Sequence, residues 1–511
     1  MSSATVTPVR PLRKLIPLSP QTDLSRLLAE TFTLAASEPK LLAMIDRDRD
    51  QAALQKKRKR LEDQAWYESR SVALPGFAVS SGDDWSSDLE LGSGRPRMPA
   101  MAVLIFLVVR GYLGGFKDRK VAMTLQESMT VQACMMSFGY AALPGASTMI
   151  DNVNDVGVAT HEAIVDVQIR QALREKLDDF KKLTLDSTDV SANSAWPTDS
   201  GIILGLAERG EHLVRLLADD GITLRLPAIM SSVLTEIRDL NKQIQLTSGK
   251  KDSAKKRGKL YRKLLRLARK VRRVLDQARN RAEAKFQTMD VPPSQRQRLA
   301  TLIEWIEVDV HNLAAVITNA DKRINKGEKV AAADKVLSLA DQDAAMIVKG
   351  GREPTLGYKP QIVRSEMGFV AAIIVPEGNA ADSGQLRPAI DAAINRTGVQ
   401  PSVLSFDDGY SNTEDRNYYL GLGIDVVSFS GSKGKNIIPK EDYDSDAYRE
   451  ARNERSSVES LMYTLKNNNE MDYVMRRGIT NVREELLGKV ITYNLFRMIT
   501  LRRRRQERDA A

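Results

Sequence analysis

Two aspartates stand where apolar, β-branched runs stop. Asp186 closes Leu183-Thr184-Leu185-Asp186, and Asp407 closes Val403-Leu404-Ser405-Phe406-Asp407. A glutamate, Glu459, lies on a helical stretch beyond them; Asp189, Asp408 and Glu454 are the neighbouring alternatives. Taken singly, an acid at a strand end is more often a turn or cap residue than a catalyst. Taken together, three carboxylates repel one another and stay ionised only beside cations. Two Mg²⁺ or Mn²⁺ ions roughly 3.5–4 Å apart are the usual arrangement for in-line displacement at phosphorus. Such ions need only oxygen ligands. The chain offers few others: one cysteine, Cys134, and three scattered histidines, His161, His212 and His311, with no HExxH pattern. An internal disulfide is excluded, and a Cys/His zinc site is not expected.

The elements that would position these acids follow from the pattern of apolar residues. After Asp186, residues 201–345 return to helical spacing as a long insertion. Strand patterns resume at Tyr358 to Arg364 and Phe369 to Val375, a hairpin-like pair. A helix from about Gly384 to Arg396 precedes the strand ending at Asp407; a fifth strand follows at Ile424 to Ser428, then helices over Asp446 to Lys466 and Val482 to Arg505. By analogy, this order fits a ribonuclease H-like sheet, where the first and fourth strands are neighbours and their terminal acids meet. The expected fold is an α/β ribonuclease H-like core with a mixed five-stranded sheet, an all-α N-terminal region and an α-helical insertion. Its divisions fall at residues 1–95 (charged, partly ordered), 96–175 (helical), 176–200 with 346–480 (core), 201–345 (insertion) and 481–511 (C-terminal helix and basic tail).

Charge points to a polyanionic partner. Lys and Arg number 76 against 66 Asp and Glu, giving a net charge of +10 over 511 residues. The excess concentrates between Lys250 and Lys285. There Leu260, Leu264, Leu267, Val271, Val274, Leu275 and Ala278 form an apolar stripe at helical spacing. Lys255, Lys256, Arg257, Arg262 and Lys263 lead a run of cations over the remaining faces. The stripe is a packing face. A face made for packing alone would mix Glu with Lys, so the single sign of the charge suggests phosphate contact. Two shorter basic runs, Lys56 to Arg60 and Arg502 to Arg505, fit a solvated helix face as well as they fit DNA contact. The strongest apolar run, Met98 to Val109, is shorter than a membrane span, and no signal-peptide pattern opens the chain, so a cytoplasmic protein without a membrane partner is expected.

Four stretches carry a resemblance to a known family. They are Leu185-Asp186-Ser187-Thr188 with Ala192-Asn193-Ser194 and Trp196-Pro197-Thr198-Asp199; Gly357-Tyr358-Lys359 with Asn379 and Asp382; Phe406-Asp407-Asp408-Gly409-Tyr410; and Arg455-Ser456-Ser457-Val458-Glu459 running to Lys466. In this order they resemble the blocks of the DDE insertion-sequence transposases, in particular bacterial groups with an interrupted ribonuclease H-like domain. The last matches an Arg-x3-Glu-x6-Lys signature. Arg452 stands where the family usually has Tyr, and Ser460 where a basic residue is common. The resemblance implies Asp186, Asp407 and Glu459 as catalytic and metal-binding acids, with Asp407 selected over Asp408 because it stands two before the Gly. It also implies two Mg²⁺ or Mn²⁺ ions, and Arg455 and Lys466 on DNA phosphates. The implied partners are double-stranded DNA, as inverted-repeat element ends and as target, with a homodimer on paired ends. The implied activity is strand cleavage and strand transfer in a bacterial, nucleoid-associated setting. A DDE-type nuclease without strand transfer, or an inactive DNA-binding homologue, is the alternative.

Overall fold

The computed structural model describes residues 22–70, 98–113, 118–136, 144–222, 227–247, 253–331, 334–349 and 353–511. Lys250 to Asp252, at the start of the basic stretch running to Lys285, lie outside them. The chain divides into two compact units. One comprises Met1–Ala52, Ser93–Asn193 and Asp343–Ala511, and the other Ala53–Gly92 and Ser194–Gln342.

A mixed five-stranded sheet forms the centre of the first unit. Its strands are β1 (Lys182–Ser187), β5 (Gln361–Ser365), β6 (Val370–Ile374), β7 (Val403–Phe406) and β8 (Val426–Phe429), in the order β6-β5-β1-β7-β8. β1 pairs antiparallel with β5 and parallel with β7, and β7 pairs parallel with β8. Leu183, Leu185, Leu404, Phe406 and Phe429 are fully buried or nearly so, as expected for strands covered on both faces. The expected hairpin is β5 with β6, joined through Glu366 to Phe369.

A second sheet escaped the sequence reading. β2 (Val190–Ser191), β4 (Thr355–Tyr358) and β3 (Ala345–Ile347) form a three-stranded antiparallel sheet in the order β2-β4-β3. These strands are too short for periodicity to show. Tyr358, read as the start of the hairpin, belongs to β4, with Lys359 and Pro360 turning the chain into β5. Gly357 is required where it stands, because a Cβ there would run into the Val190 carbonyl across the β2–β4 pair.

The helices around the large sheet bury their apolar faces on it or on each other. The Ala100–Tyr112 helix is buried on every side and packs on the Ile479–Ala510 helix, with Gly111 against Thr492. Asn494 of the latter helix accepts from the Val370 N–H at 3.0 Å and donates to its C=O at 3.1 Å, so a side-chain amide satisfies part of the exposed edge of β6. The N-terminal basic stretch is helical, in Asp23–Ser37 and Lys40–Arg70.

The second unit is built on four long helices: Asp199–Asp219, Pro227–Thr247, Ser253–Thr288 and Pro293–Ala320. All seven residues of the predicted stripe are buried in their common core. Gly210 lets Leu275 approach closely; a Cβ there would sit 2.7 Å from a Leu275 methyl. Asp309 is wholly buried in this bundle, 2.9 Å from Arg209, and burial pushes its carboxyl up to about 6. A raised acid stabilises the fold while protonated and loses that contribution as pH rises through its folded value. We therefore expect wild type to lose about 2–3 kcal/mol relative to Asp309→Asn between pH 4 and pH 7. Urea unfolding followed by tryptophan fluorescence reads this, since Trp66, Trp196 and Trp305 all lie in this unit.

Candidate active site

The parallel register of β1 and β7 sets Leu185 opposite Phe406, so both strands run out at the same edge. Asp186 is the penultimate residue of β1, and Asp407 follows directly after β7. The third acid comes from the helical stretch after the sheet. It is two helices, Asp446–Glu454 and Ser456–Asn468, meeting at Arg455, where a single helix over Asp446 to Lys466 was expected. The first is fastened to the sheet by polar bonds: Ser405 Oγ donates to the Ala451 carbonyl at 2.7 Å, and Tyr448 bridges both backbone groups of Phe429 at 2.8 Å. The second buries Val458, Leu461 and Leu465 and lies against β1, which leaves Glu459 in its first turn beside the strand ends.

One guanidinium faces all three acids. Arg455 Nη2 lies 3.7 Å from Asp186 Oδ2 and 3.3 Å from Asp407 Oδ1, and its Nη1 lies 3.6 Å from Glu459 Oε1. These are ionic contacts without hydrogen-bond geometry, and the buried Nε has no hydrogen-bond partner among the described residues. A second cation, absent from the sequence reading, is Lys349. Its Nζ lies 3.3 Å from Asp186 Oδ1 and donates to the Ser187 carbonyl and hydroxyl. Lys349 stands two residues beyond β3, and the β3–β4–β2 sheet ties that segment to the chain just after Asp186. A lone lysine beside Gly350 and Gly351 carries no sequence signal; only the pairing of the short sheet locates it.

The three acids differ in setting. Asp186 is nearly buried, and burial pushes its carboxyl above the usual carboxylate range; Lys349, the Ser187 N–H at 2.7 Å and Arg455 oppose that, while Asp407 adds to it. Asp407 is about two-fifths exposed and accepts from Ser430 Oγ at 3.2 Å. Glu459 is two-thirds exposed. Beneath them, Tyr410 is buried and donates to Gln361, and burial with the neighbouring carboxylates raises its phenol.

The alternative acids are held elsewhere. Asp189 takes Lys466 at 3.0 Å and Thr355 at 3.2 Å; burial pushes it upward, but Lys466 outweighs burial and leaves it below its ordinary value. Asp408 accepts from the Gly434 N–H at 2.9 Å and from Ser411 at 3.3 Å, tying the turn after β7 to the Ser432–Ile437 helix. Glu454 pairs with Arg364 at 3.4 Å. Lys466, predicted to face phosphate, thus spends its charge on Asp189 in this structure. Arg452 donates to the Tyr443 hydroxyl at 2.7 Å and lies over that ring. Arg502, read as part of a solvated or DNA-facing tail, is instead engaged with Glu175 and Glu30.

Lys255, Lys256, Arg257, Arg262 and Lys263 belong to the other unit, on the Ser253–Thr288 helix. All but the half-buried Arg257 are exposed, along with Arg266, Arg269, Lys270, Arg272 and Arg273. Trp196 is 59% exposed and is a surface residue.

Carboxylate oxygens suit a hard divalent cation. Among the described residues, however, no three acidic, His or Cys side chains stand close enough to enclose one, and Arg455 lies within 3.7 Å of each of the three acids. No helix among the described residues is long and apolar enough to cross a membrane.

Residues 327–495 match the family model described as transposase DDE domain, a stretch that holds Asp407, Arg455, Glu459 and Lys466. Asp186 precedes that stretch and joins it through the β1–β7 pairing. No curated protein and no solved structure matches the chain.

If Asp408 is a structural acid and Asp407 a site acid, their removal should differ in kind. Asp408→Ala should cost about 1–2 kcal/mol in urea unfolding through the lost hydrogen bonds. Asp407→Ala should stay within about 0.5 kcal/mol.

Proposed function

On the match of residues 327–495 to the transposase DDE domain, we propose that this chain is a DDE-type transposase that cuts and rejoins DNA strands at Asp186, Asp407 and Glu459, in a ribonuclease H-like core. The observation that carries this reading is the convergence of three carboxylates, from β1, from the end of β7 and from the Ser456–Asn468 helix, on the single guanidinium of Arg455. Acids that a fold holds together at such expense in repulsion are held for a cation.

Asp186, Asp407 and Glu459 would hold two divalent ions, Mg²⁺ or Mn²⁺, which when bound activate the attacking hydroxyl and stabilise the leaving oxygen. Asp186 is anchored by the Ser187 N–H and by β1, so it holds its position through the reaction. Asp407, hydrogen-bonded to Ser430, faces it from the neighbouring strand. Glu459, on a helix face open to solvent, has room to follow the substrate. The DNA phosphates are bound by Arg455 and Lys466 beside the acids and by Lys255, Lys256, Arg257, Arg262 and Lys263 on the insertion. The substrates are element ends and target DNA, handled by a homodimer on paired ends. A nuclease of the same type would share the acids and stop at cleavage, so joined products distinguish the two.

Purified protein incubated with a duplex carrying the native element end and Mg²⁺ or Mn²⁺ should nick it and join the freed end to target DNA. Asp186→Asn, Asp407→Asn and Glu459→Gln should each lose more than about 100-fold in cleavage rate while keeping duplex binding. Unchanged cleavage in any one of them would remove that residue from the site.

Neutralising Lys255, Lys256, Arg262 and Lys263 together tests the insertion. Each phosphate contact contributes about 0.9 to the slope of log K against log salt. The slope for duplex binding should therefore fall by about 3–4 units, with little change in discrimination between sequences.

A further inference from the structure

The functional reading leaves Arg455 in an unexplained position. A residue meant to hold a DNA phosphate points instead into the acids, reaching all three without a hydrogen bond to any. Its Nε is buried and unpartnered, which is an unfavourable setting for a group with five donors. Lys349 approaches from the other side of Asp186 and, unlike Arg455, is hydrogen-bonded there, donating to Oδ1 at 3.3 Å and to Ser187. Asp186 therefore has a cation at each oxygen, although burial disfavours its ionised form.

We propose that Arg455 and Lys349 are built-in counter-ions of the metal-free site, and that metal ions and DNA displace them together. The inference rests on the functional reading above. Its physical basis is that the same carboxylate oxygens cannot serve a guanidinium and a divalent ion at once. An ion entering between Asp186, Asp407 and Glu459 must expel Arg455, and the expelled guanidinium, already short of donors' partners, needs a new anion. A phosphate of bound DNA is that anion, and an Arg–phosphate pair satisfies two N–H groups at once. Without DNA the expelled cation goes to water and would also leave an ion beside it to repel. Metal and DNA thus bind each better in the presence of the other, by the same factor.

The loose geometry supports displacement over permanent pairing. Well-formed ion pairs elsewhere in this chain are short and hydrogen-bonded, as with Arg502 on Glu175 at 2.6 Å or Arg416 on Asp442 at 2.8 Å. Arg455 stands at 3.3–3.7 Å from each acid, at the joint between two helices, where its side chain can swing without moving either.

The test is Mn²⁺ binding, read from the electron paramagnetic resonance of free Mn²⁺, on the full chain with and without an element-end duplex. The wild type should bind Mn²⁺ weakly alone and about tenfold more tightly with duplex. Arg455→Gln should bind Mn²⁺ about tenfold more tightly than wild type without DNA, and duplex should add little. Lys349→Gln should shift in the same direction by less. In EDTA, Arg455→Gln should melt below wild type, and Mn²⁺ should restore it, which separates a lost counter-ion from a misfolded chain. Equal Mn²⁺ affinity of wild type and both variants without DNA, with Asp186→Asn still abolishing binding, would overturn the counter-ion role and leave the metal site standing. Mn²⁺ binding indifferent to Asp186→Asn and Asp407→Asn would overturn the functional reading itself, and this inference with it.

Discussion

The repulsion between Asp186, Asp407 and Glu459 is the constraint around which the first unit is organised. Each acid is placed by a different device: Asp186 by a strand paired on both sides, Asp407 by the turn after β7, Glu459 by a helix resting on the sheet. The backbone at each position is fixed, because the strands are buried and the helix before Arg455 is fastened to β7 and β8 through Ser405 and Tyr448. The fold therefore imposes a concentration of negative charge and must supply cations to tolerate it. Arg455 and Lys349 do so in the absence of anything else.

Charge of the opposite sign is arranged differently on the insertion. There, the Ser253–Thr288 helix commits its apolar stripe to a four-helix core and leaves its cations in water, spread along the helix with few acids beside them. Exposed cations contribute little to stability. Their value lies in long-range attraction and in phosphate contact, which is why a stable bundle with a one-sided charge suits a DNA-binding role. In the proposed function the two units divide the electrostatic work, acids gathered for chemistry in one and cations dispersed for binding in the other.

Much of this was legible in the sequence, and the reasons are physical. The ends of β1 and β7 announce themselves because long apolar strands stop at an acid, and the stripe from Leu260 to Ala278 is regular over five turns of helix. The choice of Glu459 came from the resemblance, through the Arg-x3-Glu-x6-Lys signature that puts it on one helix face with Arg455 and Lys466. What escaped was short or depended on contact. β2, β3 and β4 have two to four residues each and exist only as a sheet, so Lys349, which that sheet delivers to Asp186, had no signal of its own. Nor could spacing show that Lys466 pairs with Asp189, or that Arg502 packs against Glu175 and Glu30, since these partners are hundreds of residues apart. The break at Arg455 was hidden for a related reason: its backbone stays helical, at φ −53° and ψ −34°, so the pattern runs on across it.

The most direct measurement is an anomalous-difference map from crystals of the protein with Mn²⁺ and an element-end duplex. We expect Mn²⁺ density bounded by Asp186, Asp407 and Glu459, with the Arg455 guanidinium withdrawn from the three acids and placed on a phosphate. Saturating Mn²⁺ with no density between these carboxylates, and Arg455 still among them, would contradict the view that the acids are gathered for metal.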